Sequence, residues 1–192
     1  MDEHVPAIVN AWYPGEQGGT AVAEVLFGDY NPAGRLPLTY YKSLDELPPF
    51  DDYDITKGRT YKYFKGDVLY PFGYGLSYSS FKYSDLQVKD GAGEVTVSFL
   101  LKNTGKRNGD EVAQVYVRIP ETGGIVPLKE LKGFRRVPLK SGESRRVEIK
   151  LSKEQLRYWD VEKGQFVVPK GAFDIMVGAS SKDIRLQTVI DL

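Results

Sequence analysis

The stretch that most constrains the fold of this chain is an aromatic-rich segment at residues 58–81, GRTYKYFKGDVLYPFGYGLSYSSF. It shows neither the period of a helix nor that of a strand. Each ring removes a large apolar area from water, so a loop that carries many rings must bury them against other parts of the protein. We therefore expect this segment to lie in a seam between two bodies. The seven rings before the final Phe81 belong to Tyr61, Tyr63, Phe64, Tyr70, Phe72, Tyr74 and Tyr78.

The chain before this segment has a mixed helix and strand pattern. A short apolar run at residues 5–11 indicates the end of a buried strand, and a glycine-rich loop follows it. From Thr20, apolar side chains recur at helical spacing, and Gly28 is placed to end that helix. Residues 36–41 include a proline and indicate an edge strand. Because these elements are too few to close a core, we interpret residues 1–42 as the tail of a larger α/β domain.

The chain after residue 81 has an all-β pattern, in which apolar and polar side chains alternate between turn residues. The spacing of about eight short strands is typical of a sandwich of the immunoglobulin or fibronectin type III kind. Ser152 and Gln155 predict one capped helical turn. We expect an aromatic-rich linker at 43–81 and a fibronectin type III-like domain at 82–192. The predicted strands are 84–88, 95–101, 112–119, 131–139, 145–151, 165–168, 172–179 and 184–190.

Composition excludes several classes of function. Lysine plus arginine and aspartate plus glutamate number 26 each, which argues against a surface for nucleic acid or anionic membrane. Cysteine is absent and His4 is the one histidine, so we expect no disulfide, no thiol nucleophile, no metal site and no cofactor. Residues 1–3 are acidic where a signal peptide would be basic. We expect any export signal to lie upstream, and the compartment stays open between periplasmic or secreted and cytoplasmic.

Four stretches carry a resemblance to a known family. They are AWYPGEQGGTAVAEVLFGDYNPAGRLPLT at 11–39, GRTYKYFKGDVLYPFGYGLSYSSFKYS at 58–84, GDEVAQVYVRIP with PLKELKGFRRVPLKSGESRRVEIKL within 109–151, and LRYWDVEKGQFVVPKGAFDIMVGASS at 156–181. In this order they resemble the carboxy-terminal part of family 3 glycoside hydrolases, the β-glucosidase and β-xylosidase group. A chance sandwich would not carry the first two motifs.

The resemblance implies an architecture and an activity. Members of the family are similar in having a barrel domain, an α/β sandwich domain and a fibronectin type III-like domain. They hydrolyse O-glycosyl bonds at non-reducing ends of oligosaccharides or β-glucosides with retention of configuration. An aspartate nucleophile comes from the barrel, and a glutamate acid/base comes from the α/β domain upstream of the WYPG loop. The resemblance therefore implies that both catalytic residues lie outside this chain, and that the chain alone is inactive. Glucosidase is favoured over xylosidase on frequency alone.

The carboxylates of the chain form no compelling catalytic pair. A retaining glycosidase needs two carboxyl groups about 5–5.5 Å apart, one with a raised pKa. Glu16 lies in a glycine-rich loop at a predicted strand end, where ligands of α/β sheets bind, but a carboxylate at a helix start is also favoured by the helix dipole. We expect Asp29 to fix the turn at Gly28. The other candidates, all expected to be solvated, are Asp51, Asp52, Asp54, Asp110 and Glu111.

Some side chains are candidates for contact with a sugar, because sugars stack on aromatic rings. Each has a competing structural interpretation as a packing anchor or as a contact to the α/β body. We expect Trp159 to cap the sandwich core or its contact with the barrel rather than to bind a ligand. The candidate substrate contacts are Trp12, Glu16, Arg59, Tyr61 and Tyr63.

Three functional hypotheses remain open at this point. The chain is the supporting carboxy-terminal segment of a β-glycosidase, or it is a free-standing fibronectin-like module that binds carbohydrate or protein. In the third, it pairs non-covalently with a companion chain that carries the barrel. The α/β unit at 1–42 counts against an autonomous module, because such a module would not need half of another domain. In the first and third hypotheses the partners are the barrel and α/β domains of the same enzyme.

Overall fold

A computed structural model describes residues 4–192, so the acidic start at residues 1–3 lies outside the described part. None of the helices between residues 4 and 192 is long and apolar enough to cross a membrane. The prediction of a mainly β chain is confirmed. The elements are α1 Gly18–Phe27, β1 Tyr40–Tyr41, α2 Thr60–Tyr63, β2 Val68–Tyr70, β3 Phe81–Asp90, β4 Glu94–Asn103, β5 Gly109–Arg118, β6 Glu130–Leu139, β7 Ser144–Ser152, β8 Tyr158–Asp160, β9 Gln165–Val167, β10 Ala172–Gly178 and β11 Ile184–Asp191, with short 3₁₀ turns at Leu44–Glu46, Ile55–Lys57 and Lys153–Leu156.

Two antiparallel sheets form the sandwich that the sequence predicts. One sheet has the strand order β3-β4-β7, and the other has the order β11-β10-β5-β6. The capped turn at Ser152 is confirmed, since the Ser152 hydroxyl accepts from Glu154 N and the Gln155 side chain accepts from Ser152 N. The sequence missed β8, which pairs with β9 as a separate hairpin. Three residues are too few to show a period, so this short strand left no signal.

The core lies between the two sheets and follows from the alternation along each strand. On β4, every second side chain points inward, and Phe99 packs against Tyr83 of β3 with ring centroids 5.8 Å apart. Such residues remove their whole side chains from water, and this burial is the main force that holds the sheets together. The fully buried core side chains include Val95, Val97, Phe99, Leu101, Val115, Val147, Leu151, Leu156, Phe173, Ile175 and Val177.

Strand β5 is buried on both of its faces, although it belongs to a two-layered sandwich. Gln114 and Tyr116 point away from the core, yet both are buried. The aromatic-rich segment covers them: Tyr61 meets the Tyr116 ring edge-on at 5.9 Å, and Gln114 Nε2 donates to Gly73 O at 3.1 Å. The segment therefore acts as a third layer over the outer face of the sheet.

The amino-terminal part departs from its prediction in two places. Helix α1 ends as expected at Gly28, which has a left-handed φ of 83°. The predicted buried strand at 5–11 is wrong, because these residues are exposed and pair with no strand among the described residues. The predicted edge strand at 36–41 shortens to β1. It pairs with β2, inside the segment that showed no strand period. Strand structure needs hydrogen-bonding neighbours, which the sequence of one segment cannot supply.

Replacing Gly73 by alanine is expected to destabilise the chain by about 2 kcal/mol or more. Gly73 has a φ of 82°, which costs an L-residue about 1–2 kcal/mol. An added Cβ would also meet the Gln114 Oε1 atom at an impossible 2.1 Å, and the hydrogen bonds of Gln114 to Gly73 O and Ala179 O hold that amide in place. Chemical denaturation followed by circular dichroism measures the change.

The matched control for Gly73 is Gly142→Ala. Gly142 has a φ of 78°, but its Cβ would meet nothing within 4 Å. The control therefore carries the backbone cost without the clash. Equal losses for the two variants would contradict a tight fit between the aromatic segment and β5.

Candidate functional site

The rings of the aromatic segment connect the amino-terminal unit to the sandwich, as the sequence predicts. Tyr41 of β1 packs edge-on against Phe64 at 4.9 Å, and Tyr40 packs edge-on against Tyr70 at 6.1 Å. On the other side, Tyr61 stacks on Phe72 at 4.2 Å and contacts Tyr116 of β5. We call this the aromatic seam, defined by residues 40–41, 61–74 and Tyr116. Its rings contact both bodies, which fixes their relative position.

Two candidate sugar contacts, Tyr61 and Tyr63, lie inside the aromatic seam. The Tyr61 hydroxyl accepts a hydrogen bond from Leu131 N at 3.0 Å, and burial raises the pKa of this phenol. Tyr63 is half-buried on the same helix, and burial raises its pKa as well. Both positions match the packing interpretation. Nothing in the sequence predicts the hydrogen bond between Tyr61 and Leu131, which are far apart in the chain.

Arg59, the third candidate from this segment, is committed to main-chain carbonyls. Its guanidinium donates to Asp52 O at 3.1 Å, to Pro48 O at 3.1 Å and to Pro49 O at 2.6 Å. The acidic loop therefore folds around this arginine. Most of the donor capacity of Arg59 is used here, which leaves little of the side chain free for a ligand.

A buried ion pair joins the amino-terminal unit to β5. Arg35 Nη2 lies 2.8 Å from Glu111 Oε2, and the two side chains are only 9% and 4% exposed. Tyr83 donates to the other oxygen, Glu111 Oε1, at 2.7 Å. The prediction that Glu111 is solvated is wrong, because Glu111 lies on the same face of β5 as the core residues Ala113 and Val115 and meets Tyr83 of the other sheet. Alternation along the strand indicates this inward face, but nothing in the sequence identifies Arg35 as the partner.

Polar contacts continue the same junction at the end of α1. The Tyr78 hydroxyl donates to Val25 O at 2.5 Å, and Arg107 donates to Gly28 O at 2.8 Å. Asn31 donates to Asn108 O at 2.9 Å and accepts from Tyr78 N at 2.8 Å. Because these bonds end on main-chain atoms at both sides, they set the position of the helix relative to the sandwich.

The remaining carboxylates behave as local structure rather than as a catalytic pair. A hydrogen bond from Lys57 lowers the pKa of Asp52, and one from the Thr56 hydroxyl lowers the pKa of Asp54. Both shifts run opposite to the raised pKa that an acid catalyst requires. Asp110 pairs with Arg136 at 2.6 Å at the sandwich surface. Within residues 4–192, no group of three or more acidic or histidine side chains is placed to hold a metal ion.

Trp12 and Glu16 both belong to the loop before α1. Trp12 is 51% exposed and has a left-handed φ of 53°, which is strained for a tryptophan. Asn10 Oδ1 accepts from Trp12 N at 3.1 Å and holds this conformation. Glu16 is exposed two residues before the start of α1. These are the two candidate contacts whose side chains are available to a ligand.

The same part of the chain exposes a group of large apolar side chains. Phe27 at the end of α1 is 84% exposed, and Leu26 beside it is 63% exposed. An exposed patch of this kind on a folded protein marks an interaction surface. We call these residues the apolar face: Ile8, Val9, Trp12, Tyr13, Leu26 and Phe27.

Trp159 does not cap the sandwich core, whereas the suggested contact with the barrel stays a prediction. It lies on the β8–β9 hairpin, is about half exposed and packs edge-on against Phe166 at 5.1 Å. The core side chains of this region are instead Leu156, which is buried, and Tyr158, which packs against the core. Tryptophan is the largest apolar residue of the motif, but the register of the short strand β8 turns it outward.

Two family profiles match the chain. The profile described as "Glycosyl hydrolase family 3 C-terminal domain" matches residues 1–78, and that described as "Fibronectin type III-like domain" matches residues 111–181. The first profile covers the chain up to Tyr78, and the second covers most of β5 and the strands β6 to β10.

Curated relatives and solved structures match over almost the whole chain. A xylan 1,4-beta-xylosidase from Xylanibacter ruminicola is 47% identical over 97% of this chain, and a periplasmic beta-glucosidase from Salmonella typhimurium is 36% identical over 96%. The structure of beta-glucosidase 3B from Thermotoga neapolitana in complex with glucose has a TM-score of 0.86, with 35% identity over 94% of this chain. The chain spans only 22%, 26% and 27% of these three proteins.

Proposed function

The chain belongs to glycoside hydrolase family 3, whose carboxy-terminal region it matches, and we propose that it forms the supporting carboxy-terminal part of a retaining β-glycosidase. In this proposal the chain positions an α/β domain, while further polypeptide supplies the aspartate nucleophile and the glutamate acid/base. We propose the same division that the sequence suggested: the end of an α/β domain at 1–42, a linker at 43–81 and a fibronectin type III-like domain at 82–192.

The observation that carries this proposal is the set of hydrogen bonds and ion pairs made by the described carboxylates near the junction. Glu111, the most deeply buried of them, is bound to Arg35 and Tyr83, and Asp52 and Asp54 cap their own loop. A retaining mechanism needs two carboxyl groups that face one sugar pocket. None of these side chains is free for that task, which favours a supporting function over an active site within the chain.

The apolar face supports the proposal of an α/β partner, which belongs either to the same polypeptide or to a companion chain. The apolar face comprises residues of the 5–11 run, of the loop after it and of the end of α1, and no strand among residues 4–192 covers these side chains. The relatives are about four times longer than the region matched here, so they hold polypeptide that could provide this cover. We propose that the apolar face packs against the remainder of the α/β domain.

Trp12 and Glu16 are the residues we propose for substrate contact. They lie on the surface that the missing part of the α/β domain would border, and strained backbone such as that of Trp12 is concentrated at functional sites. Arg59, Tyr61 and Tyr63 are proposed as supports of this surface, since their polar atoms or rings are already packed. The proposed substrate is an oligosaccharide or a simple β-glycoside. Both glucosides and xylosides are included in the test, because the matching relatives are named as beta-glucosidases and as beta-xylosidases.

The test is reconstitution of activity from two polypeptides. We expect the purified 192-residue chain to hydrolyse nitrophenyl β-glucoside and β-xyloside no faster than buffer. Addition of the upstream region of the Xylanibacter ruminicola relative, which ends where this chain begins to match, is expected to restore turnover. Hydrolysis by the chain alone would contradict the proposal, and so would an upstream polypeptide that is fully active without this chain.

A pair of variants separates docking from folding. Phe27→Asp is expected to lower the reconstituted activity at least tenfold at limiting chain concentration, because it puts a charge into the proposed contact. It is expected to leave the stability of the chain unchanged, because Phe27 is 84% exposed. Val161→Asp, at an 82% exposed position on the β8–β9 hairpin, is the matched control and is expected to reconstitute normally.

Affinity electrophoresis on cellulose and xylan tests the alternative of a free-standing binding module. Strong retardation of the chain alone would favour that alternative.

A further inference from the structure

A cleft of about 380 Å³ lies between the aromatic seam and the outer face of the sheet that contains β5, β10 and β11. Its size is within the ~300–1,000 Å³ typical of small-molecule sites. Arg118, Asp174, Met176 and Gln187 of the sheet form its floor, and Phe64 and Leu128 are part of its walls. The proposed glycosidase function gives this cleft no task, because apart from Thr39 it is built from the linker and the sandwich.

Three lysines give the cleft an excess of positive charge. Lys65, Lys129 and Lys182 line it, and no carboxylate among residues 4–192 lies within 4.0 Å of their ammonium groups. The fourth cation, Arg118, is already paired with Glu121 at 2.6 Å. One carboxylate, Asp174, also lines the cleft, directly opposite Arg118 in the pairing of β10 with β5. We call the site the lysine cleft.

The lysines are held close together although their charges repel. Lys129 is half-buried and donates to Ser181 O at 3.0 Å, next to Lys182 in the chain, and Lys182 donates to Gly66 O at 3.4 Å. Burial lowers the pKa of Lys129, and the charge of Lys182 lowers it further. Main-chain carbonyls satisfy some donors but do not neutralise the charge, so a bound anion would stabilise this arrangement.

The walls of the lysine cleft add an apolar requirement. Phe64, Val68, Leu128 and the buried Met176 present carbon to the cavity, with the Tyr61 ring beside them. An anion with no apolar part would leave these surfaces wet, whereas an apolar ring or chain would remove them from water. We propose that the lysine cleft binds a small organic anion in which a carboxylate is attached to an apolar ring or chain.

Binding can be localised with Met176, one of the two methionines of the chain, because it lies in the floor of the cleft. We expect titration of methyl-labelled chain with sodium benzoate to shift the Met176 methyl resonance in a saturable way, through the ring current. Benzyl alcohol lacks the charge and inorganic phosphate lacks the ring, so each is expected to bind at least tenfold more weakly.

The lysines are tested by Lys129→Gln combined with Lys182→Gln. Hydrogen bonds to charged groups are strong enough that the double variant is expected to weaken benzoate binding about tenfold or more. Lys89→Gln, on the exposed side of β3 in the opposite sheet, is the matched control and is expected to bind benzoate normally.

Three results would overturn the proposal. They are a Met176 resonance that does not respond to benzoate, affinity for phosphate or benzyl alcohol equal to that for benzoate, and a double glutamine variant that binds as the unchanged chain does. Because the assay measures ligand binding by the chain alone, it is independent of the reconstitution of glycosidase activity.

Discussion

Replacing Glu111 by alanine is expected to destabilise the chain by about 3–5 kcal/mol, the largest loss we predict for a charged residue. The substitution leaves Arg35 as a buried charge without a counter-ion, since its side chain is only 9% exposed. It also removes the acceptor of the Tyr83 hydroxyl, which is buried beside it. Urea denaturation followed by circular dichroism gives the change in the free energy of unfolding.

Two control variants separate burial from charge. Glu121→Ala removes an ion pair with Arg118 at a similar distance, but Glu121 is 72% exposed, so the expected loss is at most about 1 kcal/mol. Glu111→Gln keeps an oxygen acceptor without the charge and is expected to fall between the two. If Glu111→Ala cost no more than Glu121→Ala, the junction between residues 34–36 and β5 would be open to water, contrary to the structure.

Replacing Tyr116 by alanine is expected to cost about 3–5 kcal/mol as well, because it removes a fully buried ring. This ring does not belong to the core between the sheets. It supports the edge of Tyr61, and its hydroxyl donates to Gln114 Oε1 at 2.5 Å. The loss in the free energy of unfolding, measured by urea denaturation, therefore reports how much the packing of the aromatic seam on the sandwich contributes to stability.

The contribution of the ring is separated from that of the hydroxyl by Tyr116→Phe, which is expected to cost about 1 kcal/mol. Tyr53→Ala is the exposed control, since Tyr53 is 85% exposed, and its expected effect is within about 0.5 kcal/mol. A loss for Tyr116→Ala no larger than that for Tyr53→Ala would mean that the seam is not packed on β5 in solution.

These junction residues connect stability to the proposed function. An α/β domain can present an acid/base to a sugar pocket only if its position is fixed, because catalysis depends on the placement of reacting groups to within about 1 Å. The aromatic seam and the Arg35–Glu111 pair fix residues 35–41 to the sandwich, and the hydrogen bonds of Tyr78 and Arg107 hold the end of α1. We therefore expect variants of Glu111 and Tyr116 to lower reconstituted activity in proportion to the loss of the folded junction.

The sequence by itself determined the sandwich and the elements with a clear local signal. Alternation along 95–101 predicted β4 because side chains of a strand point to opposite faces in turn, and that rule operates within one segment. Gly28 marked the end of α1 for an equally local reason, its tolerance of a left-handed φ. The aromatic-rich segment had to be buried whatever its partner, so its place in a seam also followed from composition.

The tertiary structure alone decided which polar groups are buried and which apolar groups are not. Glu111 is buried with a counter-ion because Arg35 of a distant loop reaches it, and Trp159 is exposed because its short strand pairs only with β9. The three lysines of the lysine cleft are far apart in sequence and meet only where the linker, the β5–β6 loop and the β10–β11 turn converge. Burial and proximity depend on contacts between distant segments, whereas a pattern of residues records only what each segment prefers on its own.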